Sequence, residues 1–161
     1  MEKILISACL LGEAVRYHGG NARIEHPILR RWNAEGRLVP VCPEVAGGLG
    51  TPRLPAEIVM TSAGRRVLTI GGDDVTGAFE RGADMAVQVS ASNHIRIAIL
   101  KDESPSCGST SVHDGSFTGR RTEGLGLTAA RLVAAGVTVF SETQIEEAAA
   151  HLALVEGRTQ I

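Results

Sequence analysis

The chain has 161 residues, 43% of them hydrophobic, which is the size of one ordinary domain and enough to bury a continuous core without disulfide staples. Its net charge of −2 offers no bulk attraction to a polyphosphate backbone or an anionic membrane, so long nucleic acid and membranes are not expected partners. The first apolar run, Ile4 to Leu11, is too short for a membrane span and poor as a signal-peptide core, so a cytoplasmic protein is expected. No repeat, low-complexity tract or linker interrupts the chain, and residues 1–161 read as a single domain.

Lys3 to Ala8 reads as a buried first strand and Arg37 to Val41 as a second, with Pro40 removing a ladder donor near its end. Pro27 to Glu35 between them suits a short helix. Arg66 to Ile70 alternates as a strand. Asp74-Val75-Thr76 then opens a helix whose Phe79, Gly82, Ala83, Ala86 and Val87 fall at helical spacing up to about Ser90. Ile95 to Leu100 is an apolar run of strand length, followed by the turn-rich stretch Lys101 to Thr110, and Asp114-Gly115 signals a hairpin. Leu127 to Ala135 reads as a helix stopped by Gly136, Val137 to Phe140 as a last strand, and Gln144 to Val155 as a closing helix that covers the core or forms a dimer contact. Strands alternating with helices predict an α/β fold with a mostly parallel, Rossmann-like sheet and helices on both faces.

In such folds, sites lie beyond the carboxyl ends of the strands. Cys9 and Cys42 end the first two strands and Cys107 sits in the loop leaving the Ile95 to Leu100 strand, so parallel strands would bring all three thiols to one edge. Three is an odd number, none belongs to a Cys-x-x-Cys pair, and a reducing compartment disfavours a disulfide. The thiols are then either buried hydrophobes or ligands, although Cys42-Pro43-Glu44 and Ser104-Pro105-Ser106-Cys107-Gly108 are loop contexts rather than core contexts. Zinc would want ligands two to four residues apart. A 4Fe-4S cluster held by three cysteines leaves one iron without a protein ligand, open to an incoming sulfur atom. Glu44 beside such a cluster suits acid–base work or is a solvated loop carboxylate. Ser104 and Ser106 suit either substrate contact or turn capping.

SACLLG at Ser7 to Gly12, RYHGG at Arg16 to Gly20, VPVCPEVAGGLGTPRLPAEI at Val39 to Ile58 and ILKDESPSCGS at Ile99 to Ser109 resemble the thiouracil desulfidase family; GSFTG, EGLGLTAA and VFSE extend the likeness over about residues 3 to 142. The resemblance implies an α/β domain with a 4Fe-4S cluster on Cys9, Cys42 and Cys107, with one iron lacking a protein ligand. It implies Glu44 as the acid–base carboxylate and Ser104 or Ser106 in contact with substrate, in a non-redox removal of sulfur from a thiolated uracil. Many relatives carry CRYDG where this chain has Val15-Arg16-Tyr17-His18-Gly19, so His18 bears on substrate preference.

Backbone amides at Gly47 to Gly50 or Gly124 to Gly126 suit turns or a phosphate cradle, with Arg16 and Lys101 in reserve for the same anion; a cradle would favour a thiolated pyrimidine monophosphate over the free base. Tyr17 or Phe117 would stack on the pyrimidine, and the histidines lack metal-ligand spacing. The other readings are an iron–sulfur redox carrier or sensor, and a metal-free cysteine hydrolase or thiol transferase. Either a monomer or a dimer is compatible with the pattern.

Overall fold

A computed structural model describes residues 1–159; the last two residues of the expected domain lie outside the described residues. The main sheet has four parallel strands in the order β2-β1-β5-β8, formed by β1 (Ile4–Ser7), β2 (Leu38–Val41), β5 (Ile97–Leu100) and β8 (Thr138–Ser141). The chain leaves β1 for β2 on one side and returns to β5 on the other. The sheet therefore has its topological switch point between β1 and β5, where open α/β sheets place their ligands.

Central parallel strands are covered on both faces, which is why β1 and β5 read as unbroken apolar runs. Ile4, Ile6, Ile97 and Ile99 point to one face and pack with Leu29 and Trp32 of α1 (Pro27–Ala34) and Ala148 and Leu152 of α5 (Ile145–Thr159). Leu5, Ala98 and Leu100 point to the other face, against Ala86 of α3 (Thr76–Ser92) and Ala129 and Leu132 of α4 (Leu127–Ala134). Each wholly buried Ile or Leu contributes about 1.5–3 kcal/mol of hydrophobic stabilisation. Pro40 is tolerated because β2 is an edge strand and Pro40 is exposed.

Two antiparallel hairpins stand outside this sheet. The first joins β3 (Ala56–Thr61) to β4 (Gly64–Thr69), and the sequence reading recognised only its second strand. The second joins β6 (Ser111–His113) to β7 (Arg121–Glu123), and its connection runs over residues 114–120 rather than turning tightly at Asp114-Gly115. β5 begins at Ile97, two residues after the expected start, because the Ile95 amide still bonds the Ser90 carbonyl and His94 turns the chain at φ 54°. A further short helix, α2 (Pro43–Ala46), directly follows Cys42.

Candidate active site

All six residues singled out from the sequence, Cys9, Cys42, Cys107, Glu44, Ser104 and Ser106, line one cavity of about 320 Å³. Cys9 lies in a single helical turn, Ala8–Leu11, directly after β1; Cys42 is the N-cap of α2 directly after β2; Cys107 lies in the loop after β5. The three thiols are free of disulfides. Among the described residues, no three His, Cys, Asp or Glu side chains gather around a point that a single metal ion could occupy, so the zinc alternative has no donor set.

Burial sets the chemistry of these thiols. Desolvation pushes Cys9 up to about 11 despite the nearby Arg16. It pushes Cys107 up to about 12, although the Ser7 and Ser106 hydroxyls partly offset it, and it raises Cys42 as well. Nucleophilic cysteines need the opposite shift and an adjacent base. No histidine hydrogen-bonds a thiol among the described residues: Cys42 Sγ reaches the Val15 carbonyl at 3.9 Å, and Ser106 Oγ reaches Cys107 Sγ at 3.6 Å. The metal-free cysteine hydrolase reading thus lacks its machinery.

The Cys107 loop is fixed from several directions. Asp102 Oδ1 accepts the amides of Glu103, Ser109, Thr110 and Ser111 at 2.9–3.3 Å, while Thr110 Oγ1 donates to Oδ2. Burial opposes ionisation of Asp102, but these hydrogen bonds outweigh it and hold the carboxyl at about 2. The carbonyls of Pro105, Ser106 and Gly108 receive the amides of Leu127, Thr128, Ala129 and Gly126, so the loop caps the start of α4. Glu142 bonds the Asp102 amide at 2.8 Å and pairs with Lys101 at 3.1 Å, which accounts for the terminal VFSE motif.

Glu44 is positioned by backbone contact between helices. A Cβ on Gly47 would lie 1.9 Å from the Ala78 carbonyl oxygen, and one on Gly82 would lie 1.9 Å from that of Pro43, so α2 can dock on α3 only with glycine at both positions. Docked there, Glu44 Oε1 accepts Arg53 Nη2 at 3.0 Å and Nε at 3.2 Å, and Oε2 accepts Ser106 Oγ at 2.8 Å. Arg53 Nη2 also bonds the Val15 carbonyl, and the Arg53 amide bonds that of Tyr17, which ties in the Arg16-Tyr17 segment. Ser104 Oγ accepts the Cys107 amide at 2.8 Å and stands 3.4 Å from Ser106 Oγ.

Tyr17 and Phe117 both reach the cavity wall, as do Arg16 and Lys101. Part of each glycine segment is engaged in packing and turns. The amides of Gly47, Gly48 and Leu49 bond the carbonyls of Pro43, Val45 and Glu44, and the Gly126 amide bonds that of Gly108. His18 Nδ1 accepts the Gly20 amide and His26 caps α1, so neither is directed to the cysteines. Arg53, Asp102 and Glu142 were missed as site residues although each lies inside a quoted motif: Arg53 joins Glu44 to the Val15 carbonyl, Glu142 reaches back to Lys101 and Asp102, and Asp102 gathers the amides of its own loop.

The model of the 2-thiouracil desulfurase family matches residues 4–144. The chain belongs to this family. A solved structure of a 4Fe-4S-dependent thiouracil desulfidase, TudS, superposes with a TM-score of 0.91 at 47% identity, covering 96% of this chain and 99% of that one. An uncharacterized Bacillus subtilis (strain 168) protein, YbbK, is 37% identical over 150 residues, 89% of this chain and 98% of its own length. In this chain the motifs that carry the likeness are those that build the cavity: SACLLG supplies Cys9, VCPE supplies Cys42 and Glu44, and SPSCGS supplies Ser104, Ser106 and Cys107. Among the described residues, no helix is long and apolar enough to cross a membrane.

Proposed function

We propose that this protein is a desulfidase that hydrolyses a thiolated uracil to the oxo product and hydrosulfide, using a 4Fe-4S cluster held by Cys9, Cys42 and Cys107. One observation carries the reading: three unpaired thiols from the ends of three parallel strands open onto the cavity that also holds a paired carboxylate and hydroxyl, Glu44 and Ser106. The donor set fits the cluster. A cubane takes one thiolate per iron, so its ligands surround it rather than meet at a point, and three thiolates leave one iron without a protein ligand. When bound, such a cluster supplies a soft electrophilic iron with affinity for a thiocarbonyl sulfur.

The chain's own groups supply the rest. Glu44 accepts a proton from the water that attacks the thiocarbonyl carbon and returns it to the departing sulfur, which leaves as hydrosulfide while the second water proton is lost to solvent as the carbonyl forms, a hydrolysis with no net electron transfer. Arg53 fixes one carboxylate oxygen, so the other is the proton carrier. Ser106 donates its hydroxyl hydrogen to Glu44, whereas Ser104 accepts the Cys107 amide and has its own hydrogen in a long 3.4 Å contact with Ser106, from which it can turn to the substrate. Val15, Val41 and Pro43 give the wall an apolar share that limits bulk water. A redox carrier would have no use for the Arg53–Glu44–Ser106 chain.

The test is hydrosulfide release from 2-thiouracil and 4-thiouracil by anaerobically reconstituted protein, with Cys9→Ser, Cys42→Ser, Cys107→Ser and Glu44→Gln variants alongside. Release by the native chain and its loss in all four variants is the expected result. A cluster-loaded Glu44→Gln protein that turned over normally would remove the proposed proton carrier.

A further inference from the structure

We infer that Glu57 is a specificity-determining residue of this cavity: one oxygen holds the Phe117 loop in place and the other accepts a hydrogen bond from an N–H or O–H donor of the thiopyrimidine substrate. The inference rests on the desulfidase reading and adds to it a contact on the wall formed by β3 and the loop over residues 114–120. Glu57 lies on β3 in the LPAEI segment, lines the cavity, and is only 8% exposed. Its Oε1 accepts the Gly115 amide at 2.9 Å and the Phe117 amide at 3.2 Å. Glu57 makes no ion pair among the described residues, Oε2 has no hydrogen-bond partner there, and that oxygen is not among the buried polar atoms closed off from solvent.

A carboxylate this deeply buried loses free energy unless its lone pairs find donors. Oε1 has two. Oε2 depends on whatever enters the cavity, water when the cavity is empty and a ligand donor when it is filled. Thiouracils carry ring N–H groups and their nucleosides add sugar hydroxyls, all donors of the required kind. Phe117 strengthens the case. It is held at φ 57°, in the left-handed region that non-glycine residues rarely adopt, and its amide is anchored by the same carboxylate while the residue lines the cavity. Gly115, at φ 91°, lets the loop press against β3, since a Cβ there would lie 2.7 Å from the Ile58 carbonyl oxygen. Glu57 thus places an aromatic residue on the wall where a pyrimidine ring can stack, and offers an acceptor beside it.

The experiment measures equilibrium binding of 4-thiouracil, its N1-methyl and N3-methyl derivatives, 4-thiouridine and its 2′,3′-dideoxy analogue to cluster-loaded native protein and Glu57→Gln, with hydrosulfide release followed separately. Glutamine keeps a carbonyl for the Gly115 and Phe117 amides, so the thermal midpoint should hold, but it turns an N–H₂ toward the donor. In the native protein, blocking the recognised donor should weaken binding at least tenfold; the N-methyl arms report a ring N–H and the dideoxy arm a sugar hydroxyl. In Glu57→Gln, the parent compound should bind at least tenfold more weakly and that penalty should vanish. Native protein that binds parent and all blocked analogues equally, or a Glu57→Gln protein with native affinity and discrimination, overturns the inference. Hydrosulfide release by the native protein in either case leaves the desulfidase reading standing. A native protein that binds none of the compounds overturns the inference, and its failure to release hydrosulfide then overturns that reading too.

Discussion

Arg53 Nη2 stands 3.0 Å from Glu44 Oε1, with Nε of the same guanidinium at 3.2 Å, so one carboxylate oxygen is held while the other bonds Ser106 at 2.8 Å. Both side chains are largely withdrawn from solvent, with 11% and 16% exposure, so the pair is less screened than a surface ion pair. Arg53→Lys keeps the charge and loses the planar fork. Hydrosulfide release by Arg53→Lys should fall about tenfold to a hundredfold at unchanged iron content, the range expected when a general base is misplaced. Turnover at the native rate would show that the fork does not position Glu44.

Gly82 and Gly47 face each other's helices at distances no Cβ tolerates. Gly82→Ala should therefore cost about 1–3 kcal/mol of stability through overpacking, although alanine is the better helix former by about 1 kcal/mol. Because Cys42 is the N-cap of α2 and Glu44 lies within it, the same change should lower the iron retained after anaerobic reconstitution. Urea denaturation and iron analysis check the two effects. A Gly82→Ala protein as stable as the native one would mean that α2 does not rest on α3 as described.

Asp102 gives a pH dependence of definite sign. Its carboxyl is held at about 2, below its ordinary value of 3.8, burial being outweighed by the hydrogen bonds from Thr110, Ser109 and Glu103. A lowered carboxyl contributes stability above its unfolded value, and that contribution disappears as pH falls from about 4 through about 2. Discounted for its partial solvent exposure, the contribution is about 1 kcal/mol. Asp102→Asn should be less stable than the native chain by that amount at pH 7, with the gap closing toward pH 2. A gap that stayed constant from pH 7 to pH 2 would assign the loss to packing instead of charge.

The main sheet was legible because β1 and β5 are covered on both faces and leave unbroken apolar runs, and because a parallel sheet then requires Cys9, Cys42 and Cys107 to leave by the same edge. β3 was not legible. It follows a segment rich in Gly and Pro, pairs outside the main sheet, and carries the exposed Met60 among its apolar residues, so its periodicity does not declare a buried face. Glu44 was visible from its neighbour Cys42. Arg53, Glu57 and Asp102 were not, because their contacts appear only in the folded chain: Arg53 with Glu44 and the Val15 carbonyl, Glu57 with the Gly115 and Phe117 amides, and Asp102 with the amides that curl back on it within its own loop. The glycines of the AGG and EGLG stretches suggested anion binding, whereas the amides of Gly47, Gly48 and Gly126 bond the carbonyls of Pro43, Val45 and Gly108, and Gly47 permits close helix contact.

The two serines beside Cys107, equivalent in the sequence, differ in the structure. Ser106 is buried at 1% exposure and donates to Glu44, whereas Ser104 lines the same cavity, accepts the Cys107 amide, and has only a 3.4 Å contact with Ser106 to compete for its hydrogen. Ser104→Ala removes a donor to the substrate along with the acceptor that shapes the cysteine turn, while Ser106→Ala removes the partner of the carboxylate and a weaker contact to Cys107 Sγ. Ser104→Ala should therefore raise KM and lower kcat together, with some loss of retained iron. Ser106→Ala should lower kcat about tenfold to a hundredfold at native iron content with KM little changed, since Glu44 has lost the hydroxyl that orients its free oxygen. Steady-state kinetics of both variants, each normalised to iron, separate the roles. Identical changes in kcat, KM and retained iron would show that the serines act as one unit, contrary to the division of hydrogen bonds seen here.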